Sequence, residues 1–98
     1  MYYVYLLKSK ITNQFYVGST NDLIKRINEH NNGRVISTKP YMPWKVYYYE
    51  AYPSEKLARM REKRLKYGGN AIRELKKRLG MIKSGSGKGV YPAPLFTN

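Results

Sequence analysis

The side chains able to do chemistry in this sequence are few and fall in short, spaced groups. Tyr3-Val4-Tyr5 is followed by Tyr16-Val17-Gly18, with eleven residues from Tyr5 to Tyr16. Phenols two apart on a strand share a face, and a glycine within a strand marks close approach of another group. Arg26 and His30 stand at i and i+4, so a guanidinium that can grip phosphate and an imidazole that can hold a proton share one side of a helix. Glu62 lies between Ala58 and Leu65 at helical spacing, on the packing side of an otherwise cationic run. A carboxylate turned toward a core is normally paired or bound to a cation, and a lone acid can hold one hard divalent ion whose shell is completed by water and phosphate. Each group has a plainer reading beside the chemical one. The tyrosines can pack with their hydroxyls at the core rim, His30 can sit at a helix C-terminus for its dipole, and Glu62 can pair with Arg59, Lys63 or Lys66. Asn70 reads equally as a helix cap.

Positioning these residues requires a defined set of elements. Residues 2–8 and 14–19 are rich in aromatic and branched side chains, and the short polar link between them makes an antiparallel hairpin. A helix is expected over 22–31, capped by Thr20 or Asn21, with Leu23, Ile24 and Ile27 as its apolar face and Gly33 as its stop. A long loop leads to a third strand over 44–52, where Tyr47, Tyr48 and Tyr49 are expected to pack. Ser54 caps a second helix, Gly68-Gly69 breaks it, and Asn70 caps a third carrying Ile72, Leu75 and Leu79. The order β-β-α-β-α-α predicts an α+β domain, a small sheet covered by helices, over 1–80. Residues 81–98 turn to Gly, Ser and Pro and read as a flexible peripheral tail.

Composition narrows the function. The 98 residues carry 19 Lys and Arg against 6 acids, a formal charge of +13. With 42% hydrophobic residues the chain folds, so the charge is a cationic surface suited to a polyanion. No cysteine and one histidine exclude disulfides, thiol catalysis and multi-histidine metal centres. No apolar run approaches a membrane span and Met1 leads into a strand, so a cytoplasmic protein without a membrane partner is expected. Lys25, Arg59, Arg61, Lys63, Lys66 and Asn70 are the expected nucleic-acid contacts. Charge alone does not separate DNA from RNA, and a ribosome-associated accessory role is a poorer third reading.

The two triplets, Asn21-Asp22-Leu23 with Arg26, and Glu62 together resemble the GIY-YIG nuclease superfamily, and the domain length and the Tyr-Val-Tyr-Leu-Leu opening resemble its small single-domain UPF0213 subfamily. The resemblance covers about residues 1–79. It implies a three-stranded antiparallel sheet flanked by helices and metal-dependent cleavage of DNA phosphodiesters, as an endonuclease or nickase acting at damaged or branched structures in DNA repair. By the same resemblance Tyr5 and Tyr16 are the site tyrosines and Tyr5 the base, its pKa lowered by nearby cations. Arg26 stabilises the phosphorane, Glu62 binds one Mg²⁺ or Mn²⁺, and His30 hydrogen-bonds the base tyrosine. Ser19 and Thr20 stand where many relatives carry lysine. A protein partner or homodimer would supply further DNA contacts. The rival reading is a non-catalytic nucleic-acid-binding module that keeps the fold.

Overall fold

The computed structural model describes residues 1–81. The elements are β1 (Tyr2–Ser9), β2 (Phe15–Thr20), α1 (Leu23–Asn31), a 3₁₀ turn (Lys39–Tyr41), β3 (Trp44–Tyr52), α2 (Glu55–Tyr67) and α3 (Ala71–Arg78). The strands form one antiparallel sheet in the order β2-β1-β3. This is the expected three-stranded α+β arrangement. The central strand explains its own sequence: Val4, Tyr5, Leu6 and Leu7 are all buried, because helices cover both faces of β1. Val4 and Leu6 join Phe15, Val17, Ala58, Leu65 and Leu75 beneath α2 and α3. Tyr5 and Leu7 join Trp44 on the other face, where Leu23 and Ile27 of α1 pack.

Several local expectations need correction. The cap of α1 is Asp22, whose carboxylate accepts from the Lys25 amide, while Thr20 accepts from the Asp22 amide one step earlier. Ile24 is 75% exposed, because the stripe facing the sheet runs through positions 23, 27 and 30 and ends on His30 instead. Ser54 caps α2 as expected, accepting from the Leu57 amide. Asn70 occupies the cap position of α3 but its side chain makes no cap hydrogen bond. Of Tyr47, Tyr48 and Tyr49 on β3, Tyr48 packs on the core, whereas Tyr47 and Tyr49 are exposed. A register shift between Leu6 and Leu7 leaves Tyr47 outside the pairing, and β3 is an edge strand with one open side. Of the tail expected over 81–98 only Met81 is described, and it packs against the core; the rest lies outside the described residues. Among the described residues no helix is long and apolar enough to cross a membrane.

Candidate active site

The hairpin register brings the first two site tyrosines together. Tyr5 pairs with Gly18 and Leu7 with Tyr16, so the pleat puts Tyr5, Tyr16 and Gly18 on the face that carries α1. Gly18 is there because the Tyr5 side chain lies across it: a Cβ would run into the Tyr5 hydroxyl and the Tyr16 ring. The buried Tyr5 hydroxyl meets His30 Nε2 at 2.8 Å. The imidazole stands edge-on to both phenols, with ring centroids 5.7 Å from Tyr5 and 5.1 Å from Tyr16. Burial dominates the proton affinities of this group. It pushes the Tyr5 phenol well above its ordinary range, and the hydrogen bond and charge of Arg26 pull down too weakly to reverse it. Burial, reinforced by the Arg26 charge, brings His30 down to about 4. The expectation of a cation-lowered tyrosine base therefore does not hold: desolvation outweighs Arg26, and Tyr5 is a neutral phenol at neutral pH beside a neutral imidazole.

Arg26 and Glu62 complete the group from two helices. Arg26 touches the Tyr5 hydroxyl electrostatically and donates to Glu29 Oε1 at 2.9 Å. Glu62 arrives around the β2 edge. Its Oε1 accepts from the Ser19 hydroxyl at 2.6 Å, and its Oε2 lies 3.0 Å from Lys66 Nζ. The same ammonium lies 5.5 Å from the Tyr16 ring centroid, and the Glu62 charge is felt at Tyr5. The five residues Tyr5, Tyr16, Arg26, His30 and Glu62 are thus linked by a continuous chain of contacts. Among the described residues no three His, Cys, Asp or Glu side chains cluster as a metal cage. Glu62 fits a hard divalent cation only as a single carboxylate ligand, with water and phosphate oxygens supplying the rest, and Lys66 has to release Oε2 for it.

A cleft of about 400 Å³ is reached from this group through Arg26 and is lined also by Ser19, Asn21, Lys25 and Arg59 and by the acids Asp22, Glu29 and Glu55. Lys25 and Lys63 are exposed. Arg59 is also exposed and reaches Glu55 at 3.0 Å. Asn70 is exposed at the start of α3. Arg61, expected to track phosphate, is committed elsewhere. Its guanidinium donates to both oxygens of Glu50 at 2.9 Å, and Tyr48 and Tyr52 donate to the same carboxylate at 2.7 and 2.5 Å. Lys66 is likewise engaged by Glu62. Two site residues escaped the sequence reading. Ser19 was signalled by alternation, since the neighbour of Gly18 must face α2; Thr38, at 2.8 Å from His30 Nδ1, had no signal in a proline-containing loop.

Residues 1–76 match the family model of the GIY-YIG catalytic domain. A UPF0213 protein of Clostridium perfringens, CPE1444, is 43% identical over 63 residues, 63% of this chain and 67% of that one. A UPF0213 protein of Bacillus pumilus is 36% identical over 66 residues, 66% of each chain. The chain thus spans about two thirds of the length of these curated relatives. The solution NMR structure of the UPF0213 protein BH0048 from Bacillus halodurans is 29% identical, with a TM-score of 0.49 over 90% of this chain and 92% of that one. The chain belongs to the GIY-YIG domain family, a nuclease family, and within it to the UPF0213 group.

Proposed function

We propose that this chain is a divalent-metal-dependent DNA endonuclease or nickase, using Mg²⁺ or Mn²⁺ and acting on branched or damaged DNA. The observation that carries the reading is the Tyr5 hydroxyl held at 2.8 Å from a neutral, buried His30, within the influence of both Arg26 and Glu62. A buried phenol that resists ionisation does not start the reaction as a phenolate. It works as a relay: the attacking water gives a proton to the Tyr5 oxygen as Tyr5 gives its own to His30 Nε2. The water oxygen forms its bond to phosphorus as the bond to the leaving sugar oxygen breaks, the phenol ends neutral, the imidazole ends as imidazolium, and the leaving oxygen takes its proton from solvent. A phosphodiester in the cleft offsets the Arg26 charge that otherwise disfavours that imidazolium. Arg26 exchanges Glu29 for the phosphate and stabilises the charge that develops on it. A cation bound at Glu62 would polarise the phosphoryl oxygen and help the leaving oxygen depart.

The test is cleavage of plasmid, branched and single-stranded DNA with Mg²⁺ or Mn²⁺ by wild type, Glu62→Gln and Tyr5→Phe. Loss of about 10²-fold or more in each variant is expected. Equal residual activity in wild type and Glu62→Gln sinks the enzyme reading. The Glu62–Lys66 pair at 3.0 Å favours a second reading, a binding module without catalysis, whose signature is steeply salt-dependent DNA binding with no cleavage under either metal.

A further inference from the structure

His30 has no solvent-exposed surface, and both its ring nitrogens are engaged: Nε2 lies 2.8 Å from the Tyr5 hydroxyl and Nδ1 lies 2.8 Å from the Thr38 hydroxyl. A neutral imidazole offers one N–H and one lone pair, whereas a hydroxyl can donate or accept. The tautomer is therefore decided by where each hydroxyl sends its own hydrogen. Thr38 Oγ1 donates to the Val35 carbonyl at 3.3 Å, which leaves its lone pairs for an N–H. The other side agrees. The Tyr5 hydroxyl lies 2.8 Å from Nε2, and the Arg26 guanidinium whose charge bears on it can only donate, so the phenolic hydrogen turns to His30 Nε2. Both neighbours call for N–H at Nδ1 and a lone pair at Nε2.

We infer that Thr38, in the loop between α1 and β3, is a positioning residue that holds His30 as the Nδ1–H tautomer, so that Nε2 is the acceptor for the Tyr5 proton; its catalytic consequence rests on the proposed relay. Thr38 is well placed for this. It is 1% exposed, its amide donates to Val35 at 3.2 Å, and its carbonyl accepts from the Trp44 indole N–H at 2.9 Å. The Trp44 ring belongs to the cluster that holds Tyr5, so the hydroxyl and the phenol are set by the same packing. With the opposite tautomer Nε2 would carry a hydrogen, Tyr5 would have to accept it, and the outlet for the relayed proton would be closed.

His30 is the chain's single histidine, so its ring-nitrogen resonances are read without ambiguity by long-range ¹⁵N–¹H NMR near pH 7.5. Wild type is expected to show a protonated Nδ1 and an unprotonated Nε2. Thr38→Val keeps the shape but removes the acceptor and is expected to move the tautomer ratio by about fivefold toward Nε2–H. Thr38→Ser restores the wild-type ratio. In cleavage assays Thr38→Val lowers kcat with KM unchanged, and Thr38→Ser recovers it. An Nε2–H tautomer in wild type, or a ratio indifferent to Thr38→Val, overturns the inference even if DNA is cleaved. The expected tautomers with no cleavage of any DNA remove the nuclease reading and leave the role of Thr38 standing.

Discussion

His30 is closed to solvent between Tyr5, Tyr16 and Thr38, with the Arg26 cation and the Glu29 carboxylate on its own helix. Burial first and Arg26 second favour the neutral ring, and Glu29 opposes them only partly, which leaves the folded pKa at about 4 against an ordinary 6.5. The sign of the consequence follows. As pH falls below 6.5 the unfolded chain takes up a proton that the folded chain refuses, so stability present above that pH declines down to about 4. A shift of that size corresponds to up to about 3 kcal/mol. Urea unfolding at pH 7.5, 6 and 4.5 should therefore show wild type losing stability more steeply than His30→Gln, which keeps a polar group but does not titrate. Parallel profiles for the two proteins would overturn the account. Glu29 and Glu50 are both held below the ordinary 4.5, so their share of the loss begins as pH falls toward that value, and the comparison with His30→Gln, which keeps both, subtracts it.

Among the elements, α2 is fastened to β3 by a carboxylate cage. Glu50 on β3 is 14% exposed in its side chain, is gripped by Arg61 through two nitrogens, and accepts from Tyr48 and Tyr52 as well. Burial pushes the Tyr52 phenol up to about 12, with its hydrogen bond to the carboxylate adding to the effect. Arg61→Ala leaves that carboxylate largely buried and unpaired, which costs about 3 kcal/mol in urea unfolding. The double variant Glu50→Leu, Arg61→Met should recover most of the loss, and an additive double variant would overturn the cage. This network also marks the limit of what the sequence discloses. The strands and α2 were legible because aromatic runs, the Ser54 cap and the Ala58–Leu65 spacing are local signals. The meeting of Tyr5 with Tyr16 was legible too, through strand alternation and the two triplets, and His30 through its spacing from Arg26. Glu50 with Arg61, Ser19 with Glu62, and Thr38 with His30 were not, because each pair is chosen by packing between elements rather than by spacing along one. Asp22 was missed as a cap for a smaller reason: three consecutive residues, Thr20 to Asp22, all suit the role, and only the backbone selects among them.

For the molecule as a whole, the surplus is +13, and among the described residues the acids are used locally while most of the cations face outward, Lys76 being buried. Five of the six acids sit in ion pairs, Glu29, Glu50, Glu55, Glu62 and Glu74, and the sixth, Asp22, caps α1. Such pairing cancels acidic charge near the helices and leaves Lys25 at the cleft and Lys63 on the outside of α2 to meet a polyanion. Polyanion binding of this kind is driven by release of condensed counterions, and log K falls by about 0.9 per phosphate neutralised for each unit of log salt. Lys25→Gln and Lys63→Gln should therefore each lower the salt slope of duplex-DNA binding by about 0.9, with little change in stability. Arg61→Met paired with Glu50→Leu should leave the slope unchanged, since that cation is neutralised within the protein before DNA arrives. Fluorescence anisotropy from low to moderate salt separates the cases. A slope that falls with the Arg61 variant but ignores Lys25 and Lys63 would place the phosphate path on the β3 side of α2, away from the cleft lined by Lys25 and Arg26.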